Sequence, residues 1–428
     1  MKIDSFWVFY AFCLMLPASM VLPENTTGTV LFLFLVVTVY LLIIRQLMLR
    51  WTSYIGWSVL LYGVYVGSIF YSEHKDEGLI RLSIKFPLML LPALIAVYTG
   101  ALVNEQRGKV LKGLTRLLAL VLPYLLAVAV YRSLRSGTIY YTYPGSGEVI
   151  STYFTYAGLS EWVIHPAYLA LWTGTGLVIS VFYNIRQPAD RWQWVTSAAL
   201  LVLMVLLQSR MNLLALLVVL LAMAVVLMIK LLSLRVALVL TASVILGTGI
   251  ILYHLPSKWL GRFADLTSLE YNIEAETFHE GFNGFTIRLA EWKCAWQEIR
   301  KRPLLGSGVG DSRYHLEESY RRNNFRYGYR EKFNAHNQFI ETTLATGILG
   351  LTALIGFFAN VVYRAALLRR WHVAAACGYV VLCFLSESYL ERQWGVVFTG
   401  MMVPLMLETE IALPNEKSSL KDQYGKTT

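Results

Sequence analysis

An all-α polytopic membrane protein with about twelve transmembrane helices and one large outer loop is the fold class expected of this sequence. Three observations lead there. Hydrophobic residues make up 56% of the 428 and charged residues only 15%, where a soluble domain carries about 25% charged residues. The deficit is concentrated in long uncharged runs, such as Trp192 to Gln208 and Met211 to Ile229, which are long enough to cross a hydrocarbon core of ~30 Å. Lysines and arginines between the runs also favour one side.

Along the chain, the apolar runs lie at 6–22, 28–44, 52–71, 83–102, 113–131, 162–183, 192–208, 211–229, 236–253, 338–363, 373–387 and 394–411. The first has the length of a secretory leader but is read as an uncleaved span, because more spans follow at once. With the N-terminus placed inside, the inner segments hold seventeen lysines and arginines and the short outer loops seven, the bias expected of cytoplasmic loops. An even number of spans puts the basic C-terminal tail inside as well. The chain thus divides into helices one to nine over 1–253, a large outer loop over 254–335, helices ten to twelve over 336–411, and an inner tail over 412–428. There is no internal repeat.

The net charge of +10 belongs to the inner membrane face rather than to nucleic-acid binding. The four cysteines, Cys13, Cys294, Cys377 and Cys383, form no CxxC and no His/Cys ligand spacing, so neither a disulfide framework nor a zinc site is indicated.

A polar loop of this length usually has a function. Phe285, Leu289, Trp292, Trp296 and Ile299 recur at helical spacing and predict an amphipathic helix lying on the membrane surface, with Arg288 at the edge of the stripe. "KRPLLGSGVGD" ends that helix. Its glycines are read as a plain turn, since no Gly-Lys-Ser/Thr follows to make a phosphate loop.

"NAHNQFIETTLATGILG", from Asn334 to Gly350, opens the tenth span. At ~100° per residue, Ile340, Thr343, Gly347 and Gly350 fall beneath His336. The lower part of this stripe is small, and small residues let membrane helices approach closely. His336 is either a reactive group held at the head of a tightly seated helix or an interfacial neighbour of a cap formed by Asn334 or Asn337. Other polar residues gather at the same outer level. Arg210 occupies a tight turn in "LLQSRMNLL", as a snorkelling anchor or an anion ligand. His165 precedes Pro166 at the outer end of the sixth span, and Glu387, Glu391 and Arg392 lie between the last two. A transporter would more often place such groups at the midplane.

This distribution suits an anionic lipid-linked substrate at the outer face. Arg210 and Arg288 are suited to grip a diphosphate through their planar forks. His336 is suited to take a proton from an attacking hydroxyl. A diphosphate leaves readily once its charge is stabilised, so no cofactor and no metal is expected.

The pattern His-Asn, nine residues, Gly-x-x-Gly in "HNQFIETTLATGILG", the "QSR" turn, the "PLLGSG" segment and the twelve-span layout together resemble the O-antigen ligases and O-antigen polymerases. The resemblance implies a GT-C type glycosyltransferase in the bacterial inner membrane, its active site facing the periplasm. It would move a glycan from undecaprenyl diphosphate to an acceptor hydroxyl. His336 matches the general base of that family, and Arg210 and Arg288 match its diphosphate-binding arginines. His165, Asn337, Glu387 and Arg392 are expected to support them. The acceptor is the lipid A-core for a ligase and a second lipid-linked glycan for a polymerase. A polysaccharide transporter is the alternative of another class, and it would show charges within the spans and related halves.

Overall fold

The computed structural model describes residues 4–19, 22, 25–142, 149–160, 162–231, 272–276 and 282–411. Among them the protein is an α-helical membrane protein. Seven helices are long and apolar enough to cross a membrane: Thr26–Ile43, Ser53–Tyr71, Lys75–Ala101, Asn104–Ser136, Pro166–Arg186, Arg210–Ile229 and Gln338–Leu367. Ser5–Ser19, Arg191–Leu207 and Trp371–Phe384 are shorter apolar helices. The expected ninth span, 236–253, lies outside the described residues.

In chain order the helices are α1 (Ser5–Ser19), α2 (Asn25–Ile43), α3 (Ser53–Ser68), α4 (Lys75–Lys85), α5 (Pro87–Ala101), α6 (Asn104–Ser136), α7 (Tyr156–Ser160), α8 (Pro166–Arg186), α9 (Arg191–Leu207) and α10 (Arg210–Leu231). After them come α11 (Thr286–Lys301), α12 (Ser312–Arg322), α13 (Arg326–Glu331), α14 (Gln338–Leu367), α15 (Trp371–Phe384) and α16 (Gln393–Glu408). The apolar helices share one core, in which α3 packs on α14, α5 on α16 and α8 on α9.

Three features depart from the expected layout. The fourth span starts earlier than 83, because the polar helix α4 runs into α5 with only Phe86 between them. The fifth is far longer than 113–131, since α6 has 33 residues, about 50 Å at 1.5 Å per residue, and projects beyond any hydrocarbon core. The fold is also not wholly helical. Tyr140–Thr142 pairs antiparallel with Val149–Thr152, in a stretch whose β-branched and aromatic residues suit a strand.

The described part of the large loop folds on the bundle. Helices α11, α12 and α13 enclose a second small core of Ile287, Ala290, Cys294, Leu316, Tyr320 and Phe325, joined by Leu344 of α14. Of the stripe expected on α11 only Ile299 is buried, and the packed face is centred elsewhere. Ile287, Ala290, Glu291, Cys294, Ala295 and Glu298 are buried beside it, and Trp296 is exposed. Large aromatics suggested the stripe, but small residues make the close contact with α12.

The segment after α11 is more than a turn. Helix α14 breaks at Gly347, whose φ of 63° and ψ of −159° are not helical. Pro303–Gly308 crosses the break. Ser307 N–H donates to the carbonyl of Leu344 (2.8 Å), Gly308 N–H to that of Ala345 (2.9 Å), and Ile348 N–H to that of Pro303 (2.9 Å). Backbone groups freed by the break are thereby satisfied, as burial in a membrane protein requires. Any side chain at Gly347 would meet the Leu304 carbonyl at 2.3 Å, and one at Gly306 would meet the Gly347 nitrogen at 2.5 Å. The same loop is tied to the end of α3: Ser68 Oγ accepts from Val309 N–H, and Asp311 accepts from the N–H groups of Glu73 and His74. The uninterrupted stripe expected below His336 is therefore corrected. The glycine lets a loop segment cross the helix rather than letting two long helices pack.

Candidate functional site

Four short segments meet at one end of the bundle. The first is the turn from α9 to α10. Gln208 ends α9 in the left-handed conformation, and Arg210 opens α10. The second is the start of α11. Asn283 Oδ1 accepts from the N–H groups of Phe285 (2.9 Å) and Thr286 (2.8 Å) and so fixes the helix entry. Arg288, one turn in, donates through Nε to the carbonyl of Ser386 (3.1 Å) and through Nη1 to that of Gly284. These carbonyls hold two of its five N–H donors and orient the others. A methyl group placed on Gly284 would stand 3.6 Å from Arg210 Nη1. Both guanidiniums thus converge on the Gly284 backbone.

The third segment carries His336. Its φ is 39°, a left-handed value uncommon outside glycine and asparagine that persists only where the surroundings enforce it. Here Asn334 Oδ1 accepts from His336 N–H (2.8 Å), Trp292 Nε1 donates to the carbonyl of Ala335 (2.9 Å), and Glu341 Oε2 accepts from Ala335 N–H (2.9 Å). Asn337 caps α14, its Oδ1 accepting from Phe339 and Ile340. The fourth segment is the 385–390 turn, wrapped around that helix start. Asn337 Nδ2 donates to the carbonyl of Leu385, Asn337 N–H to Ser388 Oγ, and Leu390 N–H to Gln338 Oε1.

His336 Nδ1 lies 3.0 Å from Glu291 Oε2. The imidazole is 25% exposed and the carboxylate fully buried. The other carboxylate oxygen, Glu291 Oε1, has no hydrogen-bond partner among the described residues. Burial alone would push the imidazole pKa down. The carboxylates of Glu291 and Glu387, with the hydrogen bond to Glu291, outweigh burial and the opposing Arg288 charge and raise it to about 9. The pair leaves Nε2 as the ring nitrogen for other work.

Of the residues expected from sequence, His336, Arg288, Arg210, Asn337 and Glu387 come together. Asn337 acts as a helix cap, which was the plain alternative for this stretch. Glu387 is buried, and its Oε1 accepts from Ser388 N–H. His165 caps α8, accepting from Ala167 N–H through Nδ1 (3.4 Å); its ring also meets that of Tyr168 edge-on (6.2 Å), and the Tyr168 hydroxyl donates to the carbonyl of Ser388 (3.4 Å) in the 385–390 turn. Arg392 is exposed, and its backbone opens α16.

Sequence reasoning missed Glu291, whose signal was an acid on the apolar side of α11. It also missed a buried charge group behind the site. Lys85 Nζ lies 2.6 Å from Glu391 Oε1, and Arg81 Nη1 lies 3.3 Å from Glu391 Oε2. Burial would raise the Glu391 pKa, but Lys85 and Arg81 prevail and hold it below the usual carboxylate value. Counting Lys85 and Arg81 as outer-loop charges concealed this group.

Among the described residues no set of three or more His, Cys, Asp or Glu side chains is placed to hold a metal ion. In comparison with known proteins, residues 195–355 match the protein family described as O-antigen ligase. The match takes in Arg210, Arg288, Glu291, His336 and the break at Gly347. No curated protein matches the chain.

Proposed function

We propose that this chain is an enzyme that transfers a glycan from undecaprenyl diphosphate to an acceptor hydroxyl at the outer face of the inner membrane, a reading supported by the match of residues 195–355 to the O-antigen ligase family. The convergence of Arg210 and Arg288 on Gly284, beside the His336–Glu291 pair, carries this reading.

The two guanidiniums hold the diphosphate, and their charge serves where a metal would in other diphosphate chemistry. Glu291 fixes the imidazole through Nδ1, as the orienting acid does in other histidine-based sites. Nε2 then takes the proton of the acceptor hydroxyl. The acceptor oxygen attacks the anomeric carbon, the bond from that carbon to the diphosphate oxygen breaks, and undecaprenyl diphosphate leaves with its new charge on the arginines. An imidazole of pKa about 9 is neutral in about one molecule in a hundred at pH 7. Its greater basicity offsets part of that loss.

The acceptor proposed first is the lipid A-core, which makes the enzyme a ligase; a polymerase would use the same donor chemistry on a second lipid-linked glycan. Deleting the gene tests both readings. Bare core with full-length chains retained on the lipid carrier supports the ligase. Single repeat units on the core support the polymerase. Unchanged lipopolysaccharide and an unchanged lipid-linked pool reject the transferase.

A further inference from the structure

A charged cavity lies at the end of the bundle away from His336. Helices α8 and α14 both start at the site end, at Pro166 and Gln338, and finish at Arg186 and Leu367. Beyond α14, a short turn supplies Arg369 and Arg370 before α15 begins. Between these elements is a cavity of about 260 Å³, lined among others by Arg186, Arg369, Arg370, Phe182, Trp371 and Glu410. Glu410 is its one lining carboxylate among the described residues.

The neighbouring acid, Glu408, is already engaged. Its carboxylate pairs with Arg50 at 2.9 Å, and its carbonyl accepts from Arg107 at 2.7 Å. Arg370 donates to the carbonyl of Leu407. Burial outweighs Glu408 and Glu410, and Arg107 and Arg364 add to it, so the Arg370 guanidinium sits below its usual pKa. The positive charge here is short of counter-charge, which an anion would supply.

The backbone points the same way. Arg369 holds φ at 54°, in the left-handed region where glycine costs least and commonly ends helices. An arginine thus occupies a strained position that glycine would fill easily, and strain of this kind gathers at binding sites. Leu368 and Trp371, which line the cavity, are exposed, as are Ile185 and Leu367 next to its lining residues Arg186 and Leu368 in the chain. Tryptophan favours the membrane interface. A soluble anion would gain nothing from such side chains, whereas a lipid would lay its chains along them.

We infer that this cavity binds the phosphate of an anionic membrane lipid, with Arg186, Arg369 and Arg370 around the headgroup and the acyl chains against Ile185, Leu367 and Trp371. Guanidinium forks match phosphate oxygens, and basic pockets between membrane helices take anionic headgroups. The site is independent of the transferase reading, and its test needs no turnover.

The full chain, purified in detergent, is titrated with phosphatidylglycerol, phosphatidylcholine or inorganic phosphate. Bound lipid is counted by native mass spectrometry and the melting midpoint is followed. Phosphatidylglycerol should be retained and should raise the midpoint, and phosphatidylcholine should do neither. Arg369→Gly removes one charge while relieving the left-handed strain, so it should fold as well as the parent and lose about fivefold in affinity for phosphatidylglycerol. Adding Arg186→Gln should bring the loss to roughly thirtyfold. Equal binding of the two lipids, or undiminished affinity in Arg369→Gly and in the double variant, would overturn the site. Inorganic phosphate reproducing the midpoint rise and displacing the lipid would overturn the assignment to a membrane lipid.

Discussion

At the scale of single residues, the proposed transfer rests on one proton and two guanidiniums. His336→Ala should lower the transfer rate by roughly two to four orders of magnitude, the usual share of a positioned acid–base group. Binding of the lipid-linked donor should survive, because Arg210 and Arg288 remain; a direct binding measurement on the variant separates the two effects. The pKa of about 9 fixes the sign of the pH dependence. In the proposed transfer the neutral imidazole is the base, so the rate should climb from pH 7, pass its midpoint near 9 and level off above that. Stability should run the other way. The folded pKa lies above the ordinary value near 6.5, so the charged pair stabilises the loop fully below about 6.5 and loses that contribution as pH rises through about 9. In Glu291→Gln the rate inflection should move down toward the ordinary histidine value, and a profile unmoved by this change would remove Glu291 as the positioning residue. Arg210→Ala should abolish transfer with normal protein levels in the membrane, and Arg210→Lys should restore little, because a point charge does not reproduce a planar fork. Wild-type turnover in Arg210→Ala would leave only a membrane anchor. Arg210 and His336 could be singled out in the sequence because charged or titratable groups beside apolar runs are costly to keep, and Arg288 by its place at the edge of the stripe on the loop helix. Glu291 could not be, since only the packing of α11 against the His336 segment makes it a partner.

At the scale of elements, the apolar helices could be read almost directly, because membrane insertion selects on local composition. What could not be read is where a helix stops being one. A count of 100° per residue presumes an unbroken helix, and α14 is broken at Gly347 by a segment some forty residues earlier in the chain. The "PLLGSG" glycines and the glycines of α14 are two halves of one crossing, and neither half announces the other. Gly347→Ala should therefore be enough to damage the protein, without the larger side chain that close helix packing alone would need to object to. Its methyl would lie 2.3 Å from backbone atoms of Leu304, and its φ of 63° disfavours any Cβ. A loss of about 2–5 kcal/mol is expected from strain and overpacking together, seen as a lower melting midpoint in detergent and as reduced transfer. If Gly347→Ala melts and works like the parent, the crossing does not hold the His336 loop in place.

At the scale of the whole molecule, the question is which way the bundle faces, and the structure changes the weight of the charge argument. Seven lysines and arginines were assigned to the short outer loops against seventeen inside. Two of the seven, Arg81 and Lys85, are buried on α4 and paired with Glu391, so they are held by the fold and carry no topological signal. Removing them leaves five outside; Arg50 and Lys112 on the inner side are likewise paired, with Glu408 and Asp190, so the bias toward an inner N-terminus is kept. The helices agree on which groups share an end. Arg210 opens α10 and His336 immediately precedes α14, and the Gly284 backbone stands beside Arg210. The arginine-lined cavity is at the other end of α8 and α14. One end would then meet a lipid-linked diphosphate in the outer leaflet, and the other an anionic inner leaflet. A phosphatase reporter fused after Asp311 should accordingly be active, and one fused after Lys417 inactive, with a fluorescent protein giving the reverse pattern. The two positions must be tested together, because the parity of the chain between α10 and α11 passes through residues outside the described set. Activity at Lys417 and silence at Asp311 would turn the bundle over. His336 and both arginines would then face the cytoplasm, where a periplasmic acceptor cannot reach them, and the proposed transfer would fail with the orientation.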